Sequence, residues 1–225
     1  MRKQVSEKTL ELNIAAEILQ TIRGLPGCNR AFWFGLKQDQ EARWGPDEIL
    51  KNVPRGYHLV LQFKSPRSQP QDTTPYNFTV NDRQNNNLLR LANARPDAVY
   101  YVFPHYNTLS RIGTDSPTLL NDTWFLRIAE LNRLPLSSNR KGTHLVESMP
   151  RTVTIHHSDV YEAKTSSLSA IKEQFSNGYN SLVNNLLDHG VLKEWIGETY
   201  VHLKGNRRSI GQLFRGFATI CLPGD

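Results

Sequence analysis

Leu10, Ile14, Ile18 and Ile22 recur every four residues, a spacing that lines one face of a helix and predicts an amphipathic helix over Ser6 to Ile22. Ser6 is placed to cap its first turn, and Gly24, Pro26 and Gly27 end it. The aromatic-rich run Ala31 to Leu36 then reads as a strand. From Tyr57 to Lys64 the pattern switches to alternation: Tyr57, Leu59, Leu61 and Phe63 fall on one face, and His58, Val60, Gln62 and Lys64 on the other. After the polar, proline-rich stretch Ser65 to Pro75 come a short segment, Tyr76 to Val80, and a helix over Asp82 to Ala94 with Gln84, Leu88 and Leu91 on one side. Ala98 to Phe103 is apolar enough to be a central strand.

Beyond Pro104 the periodicity weakens. Thr123 to Leu131 fits strand or helix, Ser137 to Gly142 reads as a basic loop, and Arg151 to Ile155 alternates as a strand. Thr165 to His189 predicts a long helix, with Leu168, Ile171, Phe175, Leu182 and Leu186 inward and Gly190 as its stop. Tyr200 to Leu203, Ile210 to Phe214 and Phe217 to Leu222 close the chain as strand, short helix and strand. This order predicts an α/β fold, a mixed central sheet flanked by helices, in a single domain spanning 1–225. No internal repeat or long linker divides it.

Composition narrows the possible classes. With 38% apolar and 21% charged residues, nine Phe, eight Tyr and four Trp, neither disorder nor a repetitive fibre is expected. No apolar stretch approaches the roughly 20 residues that cross a bilayer, so no membrane partner is predicted. Glu7, Lys8 and Glu11 fall where the apolar heart of a secretory signal would lie, and Cys28 and Cys221 form no CxxC pair; together these predict a soluble, reducing, cytoplasmic setting. A net charge of +6 favours polyanion partners. No GxSxG, P-loop or GxGxxG motif occurs, which removes the serine hydrolase, NTPase and dinucleotide readings.

Candidate chemistry gathers around the alternating strand. Gln62 and Lys64 are two residues apart and share a face, so an amide oxygen and an ammonium stand side by side, with Asp47 of Pro46-Asp47 expected from a neighbouring strand end. Magnesium takes oxygen ligands, and Asp47, Gln62, waters and a substrate phosphate would fill its shell. Lys64 would position or help deprotonate the attacking water and offset developing charge. Glu11 on the first helix would complete the site, with Glu7 one turn back as its competitor.

Glu11, Pro46-Asp47 and Gln62-Phe63-Lys64 resemble the PD-(D/E)XK nuclease superfamily, whose core joins an acid-bearing helix, a Pro-Asp and a (D/E)-x-K strand. Gln62, in place of the usual acid, is similar to the Q-x-K variant of Mrr-like modification-dependent restriction endonucleases. Gln84 resembles in placement the glutamine helix of RecB-type members, with Leu88 where their tyrosine stands. The resemblance covers about the first 105 residues, a restriction-endonuclease-like core, and leaves about 106–225 as a C-terminal extension. It implies a magnesium- or manganese-dependent deoxyribonuclease acting in restriction, phage defence or repair. Asp47, Gln62 and Glu11 would hold the metal and Lys64 the water; a homodimer would suit double-strand cutting. Lys51, Arg55, Arg67 and Gln84 are the expected DNA contacts.

Competing readings exist. The strand could lie at a sheet edge with Gln62 and Lys64 facing water, Asp47 being only a turn residue. A non-catalytic domain of the same fold would bind nucleic acid or protein, and a third reading is an interaction protein with no nucleic-acid role. Elsewhere, His156-His157 with Asp159 and Glu162 read as a strand end rather than a metal cluster, because adjacent residues of a strand point to opposite faces. Lys204, Arg207, Arg208 and Arg215, and Arg133, Arg140 and Lys141, form two basic groups suited to phosphates or simply to solvent.

Overall fold

A computed structural model describes residues 5–35, 55–67, 73–108, 119–132, 134, 136, 142–156, 160–167, 173, 184–202 and 217–223. In chain order, the elements are α1 (Glu7–Arg23), β1 (Phe32–Gly35), β2 (Tyr57–Phe63), β3 (Tyr76–Asn81), α2 (Asp82–Ala94), β4 (Val99–Pro104), β5 (Thr123–Arg127), β6 (Thr143–Met149), β7 (Thr152–His156), β8 (Val160–Lys164), β9 (Leu187–Asp188), α3 (His189–His202) and β10 (Phe217–Leu222). The fold is mixed α/β. Its main sheet runs β1-β10-β2-β4-β5, with the short β9 also on β2, and a second, antiparallel sheet runs β3-β6-β7-β8.

Local signals account for the first half of the chain. Ser6 Oγ accepts from the Thr9 amide at 3.0 Å and so caps α1. The inward stripe Leu10, Ile14, Ile18 and Ile22 is buried against Leu59, Leu61 and Phe63 of β2 and Tyr100 and Val102 of β4. The other face of the sheet carries Val60, Val99, Tyr101 and Phe103, covered by Leu88 and Leu91 of α2, Leu192 and Ile196 of α3, and Phe78, Val146 and Ile155 of the second sheet. Thus α1 forms one layer, and α2, α3 and the second sheet together form the opposite one.

β2 is interior. It pairs antiparallel with β10 along its length and parallel with β4 from Val60 to Phe63, so the edge-strand reading is corrected. The chain reaches β4 from β2 by way of β3 and α2, the kind of long crossover that parallel neighbours require. β5 then runs antiparallel to β4. Both sheets draw on both parts of the chain: β10 lies between β1 and β2, and β3 pairs with β6. At Gly56, with φ of +137°, a Cβ would lie 2.1 Å from the Leu222 carbonyl oxygen, so glycine is what lets the start of β2 approach the end of β10.

The C-terminal half departs from the sequence pattern. Leu187 and Asp188 pair with His58 and Tyr57 as strand β9, and Gly190 begins a helix rather than ending one. The reason is local: the Asp188 carboxylate accepts from the Gly190 amide at 2.6 Å, satisfying a donor at the start of α3. Leu192, Trp195, Ile196 and Thr199 then supply the buried helical stripe, so Tyr200 to His202 are helical and not strand. Leu168, Ile171, Phe175 and Leu182 lie outside the described residues, as do residues 137–141 of the expected loop and residues 210–214, expected as a short helix. Strands β6 and β8 show no alternation of apolar with polar residues, although burial alternates along β6. Two of the three buried positions of β6 are His144 and Ser148, and β8 buries only Ala163.

Candidate functional site

The main-chain amide of Lys64 donates to the Val102 carbonyl at 3.1 Å, extending the β2–β4 ladder one residue past β2. That bond keeps Lys64 in strand geometry, so Gln62 and Lys64 leave the sheet on the same face, two residues apart. It is the face covered by α2 and the second sheet.

Gln62 is fully buried. Across the sheet its register partners are Phe217 on one side and Tyr101 on the other. Its amide nitrogen donates to the Phe63 carbonyl at 3.3 Å. Lys64 is half-buried at the strand end, and its ammonium donates to Gln84 Oε1 while lying 5.4 Å from the centre of the Tyr101 ring. Gln84 reaches this point because the Asn81 side chain accepts from the Gln84 amide at 3.2 Å and fixes the first turn of α2. The distant Gln84 of the sequence is therefore brought directly onto Lys64.

The start of α2 gathers further polar groups. Tyr101 Oη donates to Asn85 Oδ1 at 3.5 Å, and Asp82 Oδ1 lies 2.7 Å from His144 Nε2 on β6. Burial first, then the charge of Asp82, pushes the Tyr101 hydroxyl well above the usual tyrosine range, so it remains a neutral donor. Sequence reasoning missed Tyr101, Asn85, Asp82 and His144. Only the Tyr101 position had a readable signal: it shares the alternating face of β4 that a parallel register sets beside Gln62.

Glu11 stands apart from this group. It is 3% exposed, its carboxylate is held by Lys8 Nζ at 2.6 Å, and α1 packs on the odd-numbered face of β2, opposite the face of Gln62 and Lys64. The side chain of the competing Glu7, together with Pro46-Asp47 and Lys51, lies outside the described residues. Arg55 and Arg67 are exposed, flanking the two ends of β2, whereas Gln84 is 4% exposed, so it faces Lys64 rather than open surface.

The amide oxygen of Gln62 is a hard donor of the kind that Mg2+ or Mn2+ takes, whereas the Lys64 ammonium ligates no metal and could only act on water or phosphate beside one. Among the described residues, no group of three or more His, Cys, Asp and Glu side chains is arranged to hold a metal ion, and the carboxylate expected for such a shell, Asp47, lies outside them.

His58 and the two cysteines are packing residues. His58 is buried, with Nδ1 3.3 Å from Thr219 Oγ1 and Nε2 4.0 Å from Cys221 Sγ. Burial pushes the Cys221 thiol up to about 12, which keeps it protonated and a poor nucleophile. Cys28 and Cys221 are free and buried. His156 Nε2 lies 3.1 Å from Glu147 in a half-exposed ion-pair geometry, and His157 and Asp159 lie outside the described residues, as do both basic groups of the sequence. Among the described residues no helix is long and apolar enough to cross a membrane. In comparisons with known proteins, no family model, curated protein or solved structure matches this chain.

Proposed function

We propose that this protein is a magnesium- or manganese-dependent nuclease that hydrolyses phosphodiester bonds of DNA. One arrangement carries the reading: Gln62 and Lys64 project from the same face at the end of an interior strand, and the crossover helix delivers Gln84 onto the ammonium. The strand order supports it, with β2 and β4 parallel across a helical crossover and β5 antiparallel beyond, which suits the mixed core that the resemblance implies. In this scheme Asp47 and Gln62 hold the cation, and Lys64 orients the attacking water and offsets charge on the transition state. Arg55 and Arg67, with Lys51, would steer the polyanion.

The expected result is that the purified chain cleaves DNA with magnesium or manganese and loses this activity with a chelator. A second reading, a non-catalytic nucleic-acid- or protein-binding domain of the same fold, is favoured by the complete burial of Gln62 and the bond from its amide to the Phe63 carbonyl. Such a domain would hold DNA equally well with and without metal and leave it intact. Salt-dependent retention on DNA without cleavage would select it.

A further inference from the structure

We infer that Tyr101 is a positioning residue for Lys64, its ring fixing where the ammonium sits; the inference rests on the nuclease reading for its chemical consequence but not for the contact itself. Tyr101 is 0% exposed, so its ring cannot turn away into solvent. It is held from three sides: by its strand register against Gln62, by its hydroxyl bond to Asn85 on α2 at 3.5 Å, and by the Phe103 ring stacked 6.0 Å away. The Lys64 ammonium lies 5.4 Å from the ring centre, within the range where the negative face of an aromatic ring attracts a cation.

The chemical logic follows from the two partners. A lysine stem has four rotatable bonds, and an ammonium left to itself samples many positions. Gln84 anchors it from the helix side and Tyr101 from the sheet side. Gln84 and Tyr101 are themselves neutral, so these two contacts orient the ammonium without adding a counter-charge of their own. Tyr101 touches neither water nor phosphate in this scheme and acts only through Lys64.

The test compares wild type with Tyr101→Leu and Tyr101→Phe in the full chain. In wild type, the Lys64 ε-methylene protons, assigned by their loss in Lys64→Arg, should be displaced upfield of the other lysines by the ring current. Tyr101→Leu should abolish that displacement and lower kcat by about tenfold, the scale of a lost cation–π contact, with KM little changed. Tyr101→Phe, which keeps the ring, should restore both. An ordinary Lys64 signal in the wild-type protein overturns the inference even if the leucine variant fails to fold, as does an unchanged signal in a folded Tyr101→Leu. A displaced signal with no cleavage by any of the proteins, wild type included, contradicts the nuclease reading and leaves the contact standing.

Discussion

Replacing Lys64 with alanine should reduce metal-dependent DNA cleavage by about a thousandfold, the loss typical of deleting one preorganised charge at a reacting centre. That corresponds to roughly 4 kcal/mol of barrier. The cost to the fold is expected to be much smaller. Lys64 is half-buried at a strand end, and its backbone bond to Val102 survives the substitution. The hydrogen bond to Gln84 and the ring contact that go with it are together on the order of 1–2 kcal/mol. For a chain of this size that is a melting shift of roughly 2–8 °C. The two scales separate a catalytic ammonium from a structural one. Cleavage at the wild-type rate by a folded Lys64→Ala removes the mechanism, whatever the melting temperature does.

The second large effect concerns Gln62→Glu. Gln62 is fully buried between Phe217 and Tyr101, and its amide donates to the Phe63 carbonyl; a carboxylate there loses that donor and is desolvated, at a cost of several kcal/mol that the Lys64 ammonium on the same face offsets only in part. Without metal, the variant should therefore melt well below wild type, by roughly 5 °C or more. A divalent cation at this position changes the balance, because the new carboxylate becomes a stronger ligand than the amide it replaces. Saturating Mn2+ should then recover most of the loss, since a ligand at one hundred times its Kd adds about 2.7 kcal/mol to the folded state. Equal destabilisation with and without manganese would show that Gln62 serves only to pack the sheet. Thermal melts of wild type and Gln62→Glu with manganese and with chelator make the comparison.

Much of the fold was legible because its signals are local. The four-residue spacing of Leu10, Ile14, Ile18 and Ile22 with Ser6 ahead of it defines α1, and the two-residue alternation from Tyr57 defines β2. The run Asp82 to Ala94 matches α2 at both ends. What the sequence could not carry was pairing between distant strands. Nothing local announces that Phe217–Leu222 inserts beside β2 or that β3 joins β6, because such contacts are decided by how whole faces are buried. Gly190 misled for a related reason: glycine after an apolar run suits a helix stop, but the Asp188 carboxylate immediately before it makes the same glycine part of a helix start.

The candidate site divides the same way. Gln62 and Lys64 are neighbours on one strand, so their shared face follows from alternation alone. The contacts of Lys64 with Gln84 and Tyr101 depend on the crossover returning α2 and β4 to the same place. Only a parallel register between β2 and β4 makes that convergence visible. Glu11, chosen for its place on the first helix, belongs to a layer whose packing is set by the odd-numbered face of β2.

Hydrolysis by this scheme requires a cation bound by Gln62 and Asp47 beside Lys64. A crystal of the protein soaked in manganese, with the anomalous signal mapped, examines this directly. The account predicts a peak coordinated by oxygens of Asp47 and Gln62, with the Lys64 ammonium adjoining it. A peak elsewhere, or none at saturating manganese, would contradict it.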